Sequence, residues 1–133
     1  MATGIYTLLV ELPESRAITF GAAGLRDLEG GWYAYTGSAL GPGGFQRIER
    51  HLELARGERD TRHWHVDYLL GAEISKVAGV WTSEGRTAEC EIARSLAGEP
   101  IAGLGASDCS CVSHLHYERH RSPLEDSIAS SHR

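Results

Sequence analysis

The chain has 133 residues, 41% of them hydrophobic, and its net charge at neutral pH is −5. This length predicts one globular domain, and the acidic balance argues against a protein that coats nucleic acid nonspecifically. No stretch approaches the ~20 apolar residues of a membrane-spanning helix, the N-terminal residues lack the pattern of a signal peptide, and an odd count of three cysteines argues against a disulfide framework. We therefore expect a cytoplasmic protein without a membrane partner.

The N-terminal half predicts strands followed by a helix. Residues 4–12, GIYTLLVEL, are apolar on both faces, which is typical of a central strand, and residues 17–20 are a candidate hairpin partner. Residues 32–36 form an aromatic strand in which Tyr33 and Tyr35 share one face. A glycine-rich turn at residues 41–44 leads into a helix that begins near residue 45 and ends near residue 55.

The C-terminal half predicts further elements of both kinds. Residues 63–71 fit a short helix, residues 76–82 a strand, and Thr87 is a candidate N-cap for a helix through about residue 97. Residues 101–118 read as irregular with one edge strand. We expect an α/β (α+β) fold with a small, mostly antiparallel central sheet of three or more strands flanked by helices. The domain would cover residues 1–118, followed by a polar, flexible tail at 119–133.

Three polar side chains on predicted helices are candidates for catalysis or metal binding. Arg47 and His51 lie one helical turn apart and share a side of the first helix, beside its apolar stripe. Glu89 falls within the apolar face of the helix that starts at Thr87, where a carboxylate needs a charged partner or a metal ion. The simpler explanation of Arg47 and His51 is an ordinary charged helix surface. The simpler explanation of Glu89 is that an acid in the first turn complements the helix dipole. Together with the tyrosines, these residues are the types that metal-assisted phosphodiester hydrolysis requires.

The same residues carry a resemblance to a known superfamily. The tripeptides GIY at residues 4–6 and YTG at residues 35–37 resemble the two halves of the signature of the GIY-YIG nucleases, and Arg47, His51 and Glu89 follow in that superfamily's order. The phrases YTGSALGPGG, RIERH, HWHVDYLL and GASDCSCVSHL are similar to the small stand-alone branch called Uri-type endonucleases. The likeness extends from residue 4 to about residue 118.

This resemblance implies a metal-dependent endonuclease that hydrolyses phosphodiester bonds of DNA or RNA, with DNA favoured, and recognises nucleic-acid structure more than sequence. It implies that Tyr6 is the general base or orients the water, and that Tyr35 hydrogen-bonds within the same site. Arg47 would hold the phosphate, His51 would assist proton transfer, and Glu89 would bind one Mg²⁺ or Mn²⁺ ion. Further residues expected to line the site are Gly37, Ser38 and His65.

Three features depart from the superfamily pattern, and two of them, Ser38 and the missing asparagine, favour an alternative together with the acidic net charge. Ser38 stands where many members have lysine, the segment between Tyr6 and Tyr35 is long, and the chain contains no asparagine. The alternative is a nucleic-acid-binding module that keeps the fold and has lost catalysis. For an acidic chain of either kind, a homodimer or a partner protein is expected to supply affinity for nucleic acid.

A third interpretation rests on a cluster of thiols and imidazoles near the C-terminus. Cys109, Cys111, His114 and His116 are of the residue types that bind zinc, which would make the chain a zinc-stabilised interaction domain. Their spacing, C-x-C-x-x-H-x-H, differs from the usual zinc-finger patterns. Packing thiols beside hydrogen-bonded histidines are therefore the favoured interpretation.

Overall fold

The computed structural model describes residues 4–20, 24–39, 46–57, 65–70, 75–84, 96, 99–101 and 115–132. Within these residues no helix is both long and apolar enough to cross a membrane. The elements in chain order are β1 (Gly4–Leu12), β2 (Arg16–Thr19), β3 (Leu25–Leu28), β4 (Gly31–Ala39), α1 (Gln46–Ala55), α2 (His65–Leu70), β5 (Lys76–Glu84), β6 (Glu99–Pro100), β7 (Leu115–Glu118) and α3 (Arg121–Ser131).

Five strands form one antiparallel sheet in the order β5-β1-β4-β7-β6, and β2 and β3 form a separate two-stranded antiparallel sheet. Strand β1 pairs with β4 on one side and with β5 on the other, so it lies inside the sheet. The predicted α+β class and the central position of β1 are confirmed. The prediction that residues 17–20 pair with β1 is wrong, because β2 pairs with β3 instead.

The sheet has two buried faces of different character. We call one the tyrosine face, because alternation along β1 and β4 directs Tyr6, Tyr33 and Tyr35 to it. Helices α1 and α2 cover this face, and the small sheet adds to the same core. The opposite face holds Leu9 and Ala34. The side chains that cover the tyrosine face include Ile18, Phe20, Leu28, Ile48, Leu54, Leu69 and Leu70.

Helix α3 covers the opposite face, where the sequence predicted only a polar tail. Leu124 and Ile128 are fully buried and pack in one cluster with Leu9 and Ala34 on the sheet. The sequence did not reveal this helix because the residues around these two apolar side chains are mostly polar. Strand β7 was expected at an edge, but it lies between β4 and the two-residue β6.

Two tyrosines fasten the turn between β3 and β4 to the sheet. The Tyr33 hydroxyl donates to the carbonyl oxygen of Glu29 at 2.6 Å, and the Tyr117 hydroxyl donates to that of Gly30 at 2.9 Å. Their rings lie 5.0 Å apart between centroids. Burial, together with the neighbouring Tyr117 and Glu29, raises the pKa of Tyr33 well above its ordinary value.

We predict that Tyr33→Phe makes the fold less sensitive to alkali. Because the pKa of Tyr33 is raised in the folded state, its contribution to the free energy of unfolding is complete below about pH 10. This contribution is lost as the pH rises further, since the unfolded chain releases the Tyr33 proton first. Urea unfolding at about pH 9 and about pH 11 should show that the wild-type protein loses about 1 kcal/mol more than Tyr33→Phe between the two conditions. Equal losses in the two proteins would contradict the prediction.

Candidate active site

Four residues of the predicted site converge at one end of the sheet, namely Tyr6, Tyr35, Gly37 and His51. Strand β1 begins there and its partner β4 ends there, with Tyr6 directly opposite Gly37 in the antiparallel register. Helix α1 belongs to the same end, because its residue His51 lies within hydrogen-bond distance of Tyr6. The two tripeptides and α1 are therefore close in space although they are far apart in sequence.

A hydrogen bond between Tyr6 and His51 lies at the centre of this end. The phenol oxygen of Tyr6 is 2.7 Å from Nε2 of His51. Tyr6 is 1% exposed and His51 is 0% exposed, so the bond is shielded from water. In the tautomer that carries its proton on Nδ1, Nε2 of His51 accepts the proton of the phenol. This arrangement joins an acid and a base in a buried environment, where a polar group needs such a partner.

Tyr35 completes an aromatic triangle around the hydrogen bond. Its ring centroid lies 6.2 Å from that of Tyr6 and 6.1 Å from that of His51. The Tyr35 ring meets the imidazole in an edge-on arrangement with an interplanar angle of 73°. Such tilted contacts are the favoured geometry for aromatic rings, so Tyr35 holds the other two rings in place.

Gly37 is required by the position of Tyr6. A Cβ atom at residue 37 would lie 2.6 Å from the phenol oxygen of Tyr6 and 2.9 Å from Cε2 of Tyr35. Both distances are shorter than real Cβ atoms allow, so any other residue would displace the rings. The YTG tripeptide therefore needs glycine at its third position, because the phenol of Tyr6 approaches β4 too closely for a Cβ atom there.

Helix α1 directs His51 inward within its apolar side. Of the described side chains of α1, Ile48, His51 and Leu54 are the most buried, whereas Leu52 and Ala55 are only partly buried. The sequence placed His51 beside the apolar stripe, but the structure places it within the buried side. An imidazole is stable there because Tyr6 provides its hydrogen-bond partner.

Some of the predicted residues lie together in the structure, and others are outside the residues that the structure describes. It brings together Tyr6, Tyr35, Gly37 and His51. Arg47 lies in the first turn of α1, Ser38 lies opposite Ile5 in β4, and His65 begins α2. The side chains not described are those of Ser38, Arg47 and His65, and the predicted residues outside the described ranges are Glu89, Cys109, Cys111 and His114.

His116 is the described residue of the proposed zinc cluster, and it lies away from the tyrosines. It pairs with Ala34 in the sheet, so it belongs to the opposite face, and it is 5% exposed. The zinc interpretation therefore concerns a different region from the Tyr6–His51 hydrogen bond.

Sequence reasoning missed a second polar group at this end of the sheet. The group lies on the opposite face and consists of Thr7, Thr36, Ser83 and His132. The available signal was a threonine beside each signature tyrosine in a strand expected to be buried. His132 offered no signal, since it belongs to the segment predicted as a tail.

A family model described as "Domain of unknown function DUF123" matches residues 5–133, so the chain belongs to this family. The match includes α3, which the sequence interpretation had left outside the domain. No curated protein and no solved structure shows significant similarity to the chain.

We predict that Gly37→Ala disrupts the Tyr6–His51 hydrogen bond and costs about 1–3 kcal/mol of stability, as overpacking of a core does. Urea unfolding and the ring-nitrogen chemical shifts of His51 measure the two effects. Gly79→Ala on β5 is the matched control, because its Cβ would meet only the far end of the Trp81 ring, at 2.7 Å, on the opposite face. Unchanged His51 shifts in Gly37→Ala would contradict the steric explanation.

Proposed function

We propose that this member of the DUF123 family is a metal-dependent endonuclease of the GIY-YIG type that hydrolyses phosphodiester bonds in nucleic acid. DNA is the favoured substrate class, recognised by structure more than by sequence. The observation that carries the proposal is the buried 2.7 Å hydrogen bond between Tyr6 and His51, packed against Tyr35 and Gly37. The sequence resemblance implies a catalytic role for Tyr6, Tyr35 and His51 and a place in the lining of the site for Gly37.

The Tyr6–His51 pair can provide a base for an attacking water molecule. A free phenol titrates near pH ~10, so at neutral pH it must release its own proton before it can accept another. Nε2 of His51 lies within hydrogen-bond reach of that proton. In the proposed reaction the proton of Tyr6 moves to His51, and the phenolate then takes a proton from the water as this water attacks phosphorus. The P–O bond to the leaving oxygen breaks, and this oxygen takes a proton from the solvent, to which His51 returns the proton that it received.

The packing around the pair fixes the phenol oxygen in place. Gly37 lets the Tyr6 ring lie against the β4 backbone, and Tyr35 flanks both rings. Preorganised groups of this kind need no rearrangement at the moment of reaction, which is a major source of catalytic power. The rigidity of the tyrosine face therefore supports a role in chemistry as well as in stability.

Positive charge for the phosphate is assigned to Arg47. Its position in the first turn of α1, one turn before His51, puts it on the same side of the helix as the imidazole. Arg56, just beyond the other end of α1, forms an exposed ion pair with Glu49 at 3.1 Å. Because the net charge of the chain is −5, the proposal also assigns part of the affinity to a homodimer or a partner protein.

The metal ion is assigned to Glu89, which lies outside the described residues. Mg²⁺ and Mn²⁺ prefer oxygen ligands, and one carboxylate with waters and phosphate oxygens is a common set for Mg²⁺. When bound, such an ion stabilises charge on the phosphate in the transition state. The protein residues described above would hold the water and move its proton.

A nucleic-acid-binding module without catalysis is the second candidate function. The observation that favours it is the burial of the pair, because a general base must reach its water and Tyr6 is only 1% exposed. The third candidate, a zinc-stabilised interaction domain, depends mainly on Cys109, Cys111 and His114, which lie outside the described residues.

We predict that Glu89→Ala abolishes metal-dependent cleavage without unfolding the chain. Labelled single- and double-stranded DNA and RNA are incubated with the purified protein in Mg²⁺, Mn²⁺ or EDTA. Cleavage should require the metal ion and fall about 100-fold or more in the variant, because even changes around a metal ligand cost about 10–100-fold. The control is Glu91→Ala, on the outward side of the same predicted helix, which should keep wild-type activity.

Full activity in Glu89→Ala would remove this residue from the mechanism. If the folded wild-type protein cuts no substrate with either metal ion, the proposed activity fails. Binding of nucleic acid in EDTA without any cleavage in metal would then support the second candidate. Circular dichroism of each variant keeps loss of fold separate from loss of activity.

A further inference from the structure

The opposite face of the sheet carries a polar group that the proposed chemistry does not use. Nε2 of His132, just after α3, lies 2.7 Å from the hydroxyl of Thr7, and its Nδ1 lies 2.8 Å from the hydroxyl of Ser83. The Thr7 hydroxyl is in turn 3.1 Å from that of Thr36. The imidazole thus bonds to β5 and β1 directly and is linked to the adjacent β4 through Thr7. We call Thr7, Thr36, Ser83 and His132 the histidine clamp.

The clamp holds the backbone next to the site residues. Thr7 directly follows Tyr6, and Thr36 lies between Tyr35 and Gly37. Because successive residues of a strand point to opposite faces, a bond made by Thr7 on one face fixes the backbone from which Tyr6 projects to the other. The same relation links Thr36 to the aromatic ring and the glycine on either side of it.

Strand β5 is fixed in the same way. Ser83 lies opposite Ile5, and its neighbour Thr82 lies opposite Tyr6 in the antiparallel register. The bond from Ser83 to His132 therefore sets the distance between β5 and β1 at the level of the site. The clamp residues are thus at the same height along the sheet as the Tyr6–His51 pair.

The hydrogen bonds of the clamp form a consistent chain. Thr7 and Thr36 are fully buried and Ser83 is 9% exposed, so their hydroxyls need protein partners. In one neutral tautomer Ser83 donates to Nδ1, Nε2–H donates to Thr7, and Thr7 donates to Thr36. In the other tautomer every direction is reversed, and Ser83 donates to the carbonyl oxygen of His132 at 3.4 Å. Removing the imidazole breaks the link between the hydroxyl of Thr7 on β1 and that of Ser83 on β5. The side chains between these strands can then repack.

We propose that His132 is a positioning residue for the Tyr6–His51 pair. It acts from the opposite face, by setting the spacing of β1 from β4 and β5, and so fixes where the phenol oxygen of Tyr6 lies relative to Nε2 of His51. A displacement of ~1 Å in a reacting group can cost about 100-fold in rate. The role in turnover rests on the proposed function, whereas the effect on the geometry of the pair does not.

The test compares His132→Ala and His132→Gln with the wild-type full-length chain. The ring-nitrogen chemical shifts of His51 report the geometry of the pair, and kcat and KM report cleavage of the best nucleic-acid substrate. In His132→Ala we expect changed His51 shifts and a kcat lowered about tenfold with KM unchanged, because binding groups stay in place while the base is displaced. His132→Gln keeps one donor and one acceptor and should restore much of both readouts.

Leu124→Ala is the matched control, because it weakens the docking of the same helix without touching the clamp. It should lower the melting temperature and leave the His51 shifts as in the wild type. If Leu124→Ala alters these shifts as much as His132→Ala does, the effect is general destabilisation and the proposal is overturned.

The proposal is also overturned if His132→Ala folds and shows wild-type His51 shifts, or if the shifts change without any loss of kcat in an active protein. If His132→Ala does not fold, Ser83→Ala takes its place, because it removes the bond from the imidazole to β5 and leaves the bond to Thr7. The His51 shifts should then change, and wild-type shifts would overturn the proposal. If the wild-type protein cleaves nothing, the proposed function fails, and the His51 shifts alone decide whether His132 positions the pair.

Discussion

Strand β1 carries two neighbouring polar side chains into opposite halves of a buried core, and both histidine contacts follow from this constraint. Tyr6 is 1% exposed and Thr7 is 0% exposed. A buried hydroxyl without a partner costs about 1–3 kcal/mol, so each face must supply one. Helix α1 supplies His51 to Tyr6, and the residue after α3 supplies His132 to Thr7. Two helices from distant parts of the chain are thereby tied to adjacent residues of one strand.

The sequence predicted most directly the elements that contain runs or repeats of apolar residues. Strand β1 is an apolar run and β4 an aromatic run, both with buried residues on the two faces, and the apolar residues of β5 and α1 recur regularly enough to identify each element. The sequence predicted strand β2 but not its pairing with β3, because a pattern of four residues indicates a strand and does not indicate which strand pairs with it. Helix α3 was missed because Leu124 and Ile128 indicate a buried side only once the sheet presents a face that needs covering.

The candidate site was only partly predictable from the sequence. The resemblance to GIY-YIG nucleases pointed to Tyr6, Tyr35 and His51, and the register between β1 and β4 brings them together. The steric need for Gly37 depends on the exact approach of a ring to a strand, which no spacing in the sequence reveals. The contact of His132 with Thr7 joins the two ends of the chain, so local patterns contain no trace of it.

The central claim is that Tyr6 and His51 act as one unit, and a double-mutant cycle of cleavage rates tests it most directly. The cycle compares the wild-type protein with Tyr6→Phe, His51→Phe and the double variant, each of which keeps a ring at both positions. Loss of a proton-transfer group costs about 10²–10⁴-fold, and for residues acting as a unit the double variant should lose about as much as one single variant alone. Losses that multiply, or single variants that cut at the wild-type rate, would contradict the account.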